Sequence, residues 1–347
     1  MTTHGKYPRL KNILRITGRV FIIISITLLL LEVVLGLVFK LKDRNLIDAE
    51  VSDYPYLYFS LVPQQGQRNS DGFKTGITRE KPDNVVRIAI TGGSVAYGNE
   101  SENTIAAQLE TLLNQSPGET HFEVMNAGVP AYVVEQEFIM IQLVLQYYHP
   151  DIIVSLSGYN DLISADINRG NGGSQWLAPH NWGDFRCIET NSRKRSVESR
   201  FLGVCPNIGR LIDFVLRSTA SNKISYEQLV QQSSVIAGVY AQRVVDIHDF
   251  CQAKGIVYIH CLQPVNWELH HSDNPERNRA LQHIYSAIRS DIDTCGYCFD
   301  FSDSFVDSPT IFTDECHVTT EGNTILSKNI ALLINKNLNV DTFSNEY

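Results

Sequence analysis

Ser94 stands in the stretch Thr91-Gly92-Gly93-Ser94-Val95-Ala96-Tyr97-Gly98, directly after the apolar run Val85, Val86, Ile88, Ala89 and Ile90. That run, interrupted only by Arg87, reads as a buried strand. Gly92 and Gly93 let the backbone turn without a Cβ clash. Ser94 is then expected at the carboxyl end of a strand, where open α/β sheets place their ligands. A serine in that setting is a nucleophile if a base reaches it, and otherwise part of a plain Gly-Ser turn. The candidate base is His317, with Asp314 three residues before it. One turn of chain at that spacing brings a carboxylate within reach of a ring nitrogen. Asp314 would orient His317 and stabilise the imidazolium formed when His317 takes the Ser94 proton. Asp-x-x-His recurs by chance; a serine presented opposite it is what gives it meaning.

Two further stretches lie between, Asn126-Ala127-Gly128-Val129-Pro130-Ala131 and Gly158-Tyr159-Asn160-Asp161. With Gly92-Gly93-Ser94 before them and Asp314-Glu315-Cys316-His317 after, they resemble the four blocks of the SGNH (GDSL-like) hydrolases. The resemblance runs over residues 84–335, and Gly93 stands where a GDS motif has Asp. It implies a carboxylic ester hydrolase that works through an acyl-enzyme on Ser94, with no cofactor and no metal. It also implies three oxyanion donors: the nucleophile's N–H, a second-block N–H and an asparagine side chain. These map onto Ser94, Ala131 and Asn160. The family's second donor is a glycine; here that place holds Ala131, and Gly128 lies earlier. A backbone donor needs no particular side chain, so Ala131 serves if its φ is negative, whereas a positive φ would strain the hole. Read without the resemblance, Asn160 is a turn asparagine.

Other nucleophile and phosphate folds fit less well. Gly-x-Ser-x-Gly fails because Ala96 takes the last position, and no Gly-Lys-Ser/Thr follows the glycines.

The elements that must position these residues alternate. Strands are predicted over 85–90, 122–125, 152–156, 256–262 and 298–301, and helices over 104–114, 135–148, 226–253, 277–293 and 320–333. Such alternation implies a parallel sheet covered on both faces, a three-layer α/β/α sandwich. The resemblance makes it the flavodoxin-like SGNH fold. The hydrolase domain is expected over 84–340 with an insertion at about 162–225, where the alternation stops. Trp176 and Trp182 in the insertion would form a substrate rim or pack its own small core. Cys187 and Cys205 would close it with a disulfide if the domain lies in an oxidising compartment. Of the seven cysteines, Cys251 and Cys261 read as core residues, and Cys295-x-x-Cys298 lacks the second pair that a zinc site needs.

Ahead of the domain, residues 1–19 carry five basic side chains and no acid, and 20–39 are almost all apolar. Twenty helical residues span about 30 Å, the thickness of a bilayer's hydrocarbon core. The stretch reads as an uncleaved signal anchor with a cytoplasmic tail at 1–19 and the domain outside, by the bias of basic residues. Glu32 falls within the span, where an ionisable side chain is costly and marks either a membrane partner or a carboxyl near the outer edge. Residues 40–83 carry Tyr54, Tyr56, Tyr58, Phe59 and Phe73, too many aromatics for a solvated linker, and are expected to pack on the domain.

Without residues 1–44 the chain keeps 21 basic and 36 acidic side chains, a net charge of −15. So acidic a body, with no basic stripe, is no partner for nucleic acid. The anchor and the outward topology, with the family resemblance, make an O-acetyl ester on a cell-surface or secreted polysaccharide the expected substrate. The alternatives are a lipid or acyl-chain ester, or a non-hydrolytic acyl-transfer or binding role in a polysaccharide assembly.

Overall fold

Five apolar runs pair side by side in the larger compact unit, Ala49–Gly183 with Asn222–Tyr347. The computed structural model describes residues 8–43, 51–54, 56–98, 103–115, 120–167, 207–208, 224–269, 274–305 and 307–338. In chain order the paired strands are β3 (Val85–Gly92), β4 (His121–Asn126), β5 (Ile152–Ser157), β6 (Val257–Leu262) and β7 (Cys298–Asp300). Their spatial order is β4-β3-β5-β6-β7, and every pairing is parallel. Ile88, Ala89 and Ile90 on β3 and all six residues of β5 are buried, which is why these strands read as continuous apolar runs. Counted within the sheet, this is the doubly wound order 2-1-3-4-5, whose strand order reverses between β3 and β5. Ligands of such sheets bind at that switch point, beyond the carboxyl ends of the two strands.

Helices cover the sheet: α3 (Ile105–Leu113), α4 (Val134–Leu143), α5 (Tyr159–Ile167), α6 (Tyr226–Gln231), α7 (Ser233–Ala253), α8 (Pro275–Ile292) and α9 (Thr320–Leu338). Two predicted helices are shorter than expected. The stretch 226–253 breaks at Gln232, whose ψ of 1° is not helical; Ser233 and Ser234, residues that favour helix starts, follow it. The stretch 135–148 leaves the α-helix after Leu143 and ends in a 3₁₀ turn, Leu145–Tyr148, with His149 left-handed at φ 52° ahead of Pro150.

The segment before β3 is part of this unit. Strands β1 (Val51–Tyr54) and β2 (Tyr58–Leu61) form an antiparallel hairpin, and Leu57, Phe59, Leu61 and Phe73 are buried. Tyr132 Oη donates to the Phe59 carbonyl at 2.7 Å, and Gln136 Nε2 donates to that of Leu57 at 2.8 Å. Tyr56, grouped by the sequence with the packing aromatics, is instead 77% exposed. It occupies the hairpin turn, with its backbone at φ 70°. Arg87, the one charge in the first core strand, is 1% exposed. Its guanidinium donates to the carbonyls of Thr78, Glu80 and Tyr148 and pairs with Glu123 at 2.7 Å, so a buried charge has partners throughout.

The smaller unit groups Met1–Asp48 with Asp184–Ser221. Its long helix α1 (Pro8–Asp43) contains Ile16–Val38, a stretch long and apolar enough to cross a membrane. Trp176, Trp182, Cys187 and Cys205 lie outside the described residues.

Candidate active site

The turn after β3 is sterically exclusive. At Gly92, with φ at 141°, a Cβ would lie 2.3 Å from the Leu156 carbonyl oxygen. At Gly93 it would lie 2.1 Å from Asn160 Nδ2. Gly92 therefore demands glycine, at Gly93 a side chain would have to displace the Asn160 amide, and the two positions bring the β3 turn against the β5 turn. Ser94 opens the short helix α2 (Ser94–Tyr97), and Asn160 lies three residues beyond the end of β5, in the first turn of α5.

Opposite them is the loop 312–318, closed by the bridge between Phe312 and Val318 and by the Thr313 N–H on the His317 carbonyl at 2.8 Å. Inside it, Asp314 Oδ1 accepts the N–H groups of Cys316 at 3.0 Å and His317 at 2.8 Å. Asp314 Oδ2 stands 2.6 Å from His317 Nδ1, and His317 Nε2 stands 2.7 Å from Ser94 Oγ. Partial burial raises the Asp314 carboxyl's pKa, but its hydrogen bonds from the His317 ring and the two backbone N–H groups outweigh this and bring it down to about 2. Ionised, Asp314 only accepts, so the facing proton sits on Nδ1 and Nε2 is left to accept from the Ser94 hydroxyl. The relay Ser94–His317–Asp314 is thus joined throughout by hydrogen bonds.

Asn160 Nδ2 donates one hydrogen to the Tyr132 carbonyl at 2.9 Å, which leaves its second hydrogen for another acceptor. Its neighbour Asp161 is buried and accepts the N–H of Val134, the first residue of α4, at 3.0 Å. Ala131 adopts φ 68°, so the condition set by the sequence falls on the strained side. A left-handed alanine costs about 1–2 kcal/mol.

A cavity of about 280 Å³ opens over the relay, lined among others by Ser94, Asn160, His317, Tyr159, Ile163 and Arg277. Ile163 is the only aliphatic side chain in that lining among the described residues. Arg277 is tied to Asp166 at 2.6 Å. Asp314, Cys316 and His317 carry ligand-type atoms within 4.8 Å of one another, the spacing a metal ion could use. Asp314 and His317 are already engaged in the relay, and burial, the largest influence on it, pushes the Cys316 thiol's pKa up and keeps it protonated.

Beneath the site is a residue that the sequence did not single out. Glu137 on α4 is fully buried and accepts from Thr91 on β3 at 2.8 Å, from Ser155 on β5 at 2.7 Å, and from Ser157 on β5. Burial, partly offset by these hydroxyls, raises its pKa. Thr91 and Ser157 each stand three residues before a site residue, Ser94 and Asn160. The carboxyl therefore ties together the ends of the two strands that carry the site.

No protein-family model matches the sequence, and no curated protein matches it. Solved structures do. An acetyl xylan esterase is 13% identical, with 72% of this chain and 100% of that one covered at a TM-score of 0.43. A putative acylhydrolase from Bacteroides fragilis is 15% identical, with 73% and 88% covered at 0.40. A lipase/acylhydrolase from Enterococcus faecalis is 13% identical, with 73% and 96% covered at 0.41. A lipolytic protein of the G-D-S-L family from Desulfitobacterium hafniense also matches, with 72% and 99% covered at 10% identity and 0.40. The likeness is too distant to carry a substrate or a site, and those rest on the chain's own residues.

Proposed function

We propose that the chain is a membrane-anchored serine esterase of the SGNH type that removes a short acyl group, an O-acetyl, from a polysaccharide outside the cytoplasm. The observation that carries the chemistry is the hydrogen-bonded line from Ser94 Oγ through His317 to Asp314, at the mouth of a cavity on the sheet's switch point.

In this mechanism Ser94 Oγ attacks the ester carbonyl while His317 Nε2 takes its proton and Asp314 stabilises the resulting imidazolium. The oxyanion of the tetrahedral intermediate is met by the Ser94 N–H, the free hydrogen of Asn160 Nδ2 and the Ala131 N–H. Collapse breaks the bond to the alkoxide, which takes the proton from His317 and leaves as an alcohol. Water, deprotonated by His317, then attacks the acyl-Ser94 carbonyl, and the carboxylic acid is released as Ser94 recovers its proton. The cavity's size supports a short acyl group over a lipid chain, which needs a long apolar channel.

A fluorophosphonate probe should label Ser94 in the full-length protein. Labelling should vanish in Ser94→Ala and drop by orders of magnitude in His317→Ala, while Asn160→Ala should lower kcat by roughly 10²–10³. A Ser94→Ala variant that still hydrolyses an aryl acetate would sink the assignment. Acetate release from a panel of acetylated glycans identifies the substrate; transfer of acetyl to a second glycan with no free acetate would make the protein a transferase. The charge bias around α1 supports the domain lying outside. Protease added to intact cells or spheroplasts should then degrade residues beyond 84, and protection would reverse the orientation.

A further inference from the structure

Glu32 lies inside the apolar span Ile16–Val38, where a carboxylate is costly unless donors meet it. Donors do meet it, from the same compact unit. Oε1 accepts the backbone N–H of Asn207 at 2.7 Å, and Oε2 accepts that of Ile208 at 2.9 Å. The Asn207 side-chain amide donates in return to the Glu32 carbonyl at 3.4 Å. Gly36, one turn further on, leaves room for it: a Cβ there would stand 3.1 Å from Asn207 Nδ2. Burial marks the same spot. Between Ile16 and Val38 only Glu32, Leu35 and Gly36 are half-buried, and every other residue is exposed. Glu32 precedes Val38 by six residues, which at 1.5 Å per residue puts it about 9 Å inside the end of the span.

The sequence around Asn207 suits that depth. Pro206 precedes it, and Ile208, Leu211, Ile212, Phe214, Val215 and Leu216 are apolar.

We propose that Glu32 is a docking point for this chain's own segment at Asn207 and Ile208, which it holds in the half of the bilayer nearest the carboxyl end of α1. The protein then has a second membrane contact, made by the insertion, and the intramembrane acid is occupied from within the chain and not by a separate membrane partner. Both carboxylate oxygens already have a donor, and the backbone N–H groups that meet them leave the segment free to vary in side chain elsewhere. The inference rests on the reading of α1 as a membrane span.

The test uses the full-length protein in native membranes, with a benzophenone amino acid at Leu35, or at the exposed Phe21 as a control on the same helix. Ultraviolet cross-linking followed by peptide mapping should join position 35 to a peptide of the same chain containing Asn207 and Ile208, and should give no such product from position 21. Glu32→Leu should cut the yield tenfold or more, and Glu32→Gln, which keeps one acceptor oxygen, should cut it less. A cross-link to another polypeptide, one to lipid alone, or an undiminished yield in Glu32→Leu would overturn the proposal. Alkaline extraction separates the two readings: a protein that leaves the membrane has lost the anchor reading, whereas one that stays without the cross-link has lost only the docking.

Discussion

Ser94 sits at the end of a strand whose core residues are fully buried, whereas Asp314 and His317 sit in a loop that belongs to neither sheet nor helix. The serine is placed by the whole domain: two glycines that let β5 and Asn160 come close, and a buried glutamate that ties β3 to β5. Asp314 and His317 are placed mostly by a local network, two N–H groups on Asp314 Oδ1 and the bridge at the loop's neck, with the Asp314 side chain 44% exposed; from outside the loop, Asn266 N–H and Tyr159 Oη donate to Glu315. Ser94 is thus placed by the sheet itself, whereas Asp314 and His317 are placed mainly by their own loop, docked on the domain at Glu315 and Cys316.

That contrast can be broken by experiment. Asp314→Ala should lower kcat/KM by about 10⁴ while the fold persists, with a stability loss below about 1.5 kcal/mol in denaturant titration at neutral pH. Its carboxyl titrates lower when folded than unfolded, so its contribution is present above the unfolded value of about 3.9 and is lost as pH falls through about 2. An Asp314→Ala protein should therefore show a weaker fall in stability on acidification. On the strand side, Glu137→Leu should remove about 2–4 kcal/mol and activity together, because three buried hydroxyls lose their acceptor. Glu137→Gln should cost less. Glu137 titrates higher when folded, so its own contribution to stability is largest below the unfolded glutamate value of about 4.3 and erodes as pH rises above it. Glu137→Gln should flatten that limb. If Glu137→Leu left stability intact while Asp314→Ala unfolded the protein, the division of labour would be the reverse of the one argued. The smallest effect is at Ala131: glycine relieves left-handed strain of about 1–2 kcal/mol but gains chain entropy when unfolded, for a net gain of at most about 1 kcal/mol. A loss on Ala131→Gly would mean that the buried methyl's packing outweighs the strain.

The alternation of strands and helices was legible because the core strands are buried on both faces and read as apolar runs broken only by Arg87 and a few hydroxyl residues. Ser94, Asn160, Asp314 and His317 stood out because each carries a local signature: paired glycines after a strand, Gly-x-Asn-Asp, and Asp-x-x-His. Glu137 did not. In Val134-Glu135-Gln136-Glu137 it reads as one more acid on a solvated helix face, and its partners are 18 to 46 residues away on two strands. The one available signal was the hydroxyls of Thr91, Ser155 and Ser157 in strands otherwise apolar. Tyr56 misled because composition marks aromatics as packing residues, while its place in a two-strand turn leaves it exposed. The cavity residues Ile163 and Arg277 carried no local signature, since only the fold brings α5 and α8 to the switch point.

The buried guanidinium of Arg87 determines where this chain can be cut ahead of the sheet. A fragment beginning at Asn84 would keep Arg87 but delete the Thr78 and Glu80 carbonyls it donates to, stranding a charge already sealed from water. The same cut would remove the carbonyls to which Tyr132 Oη and the Gln136 amide on α4 donate, and would uncover the surface on which Leu57, Phe59, Leu61 and Phe73 are buried. A fragment beginning at Ala49 keeps all of these partners and still discards α1. The hairpin that looks like a stalk ahead of the sheet is, for anyone expressing the protein, part of the domain.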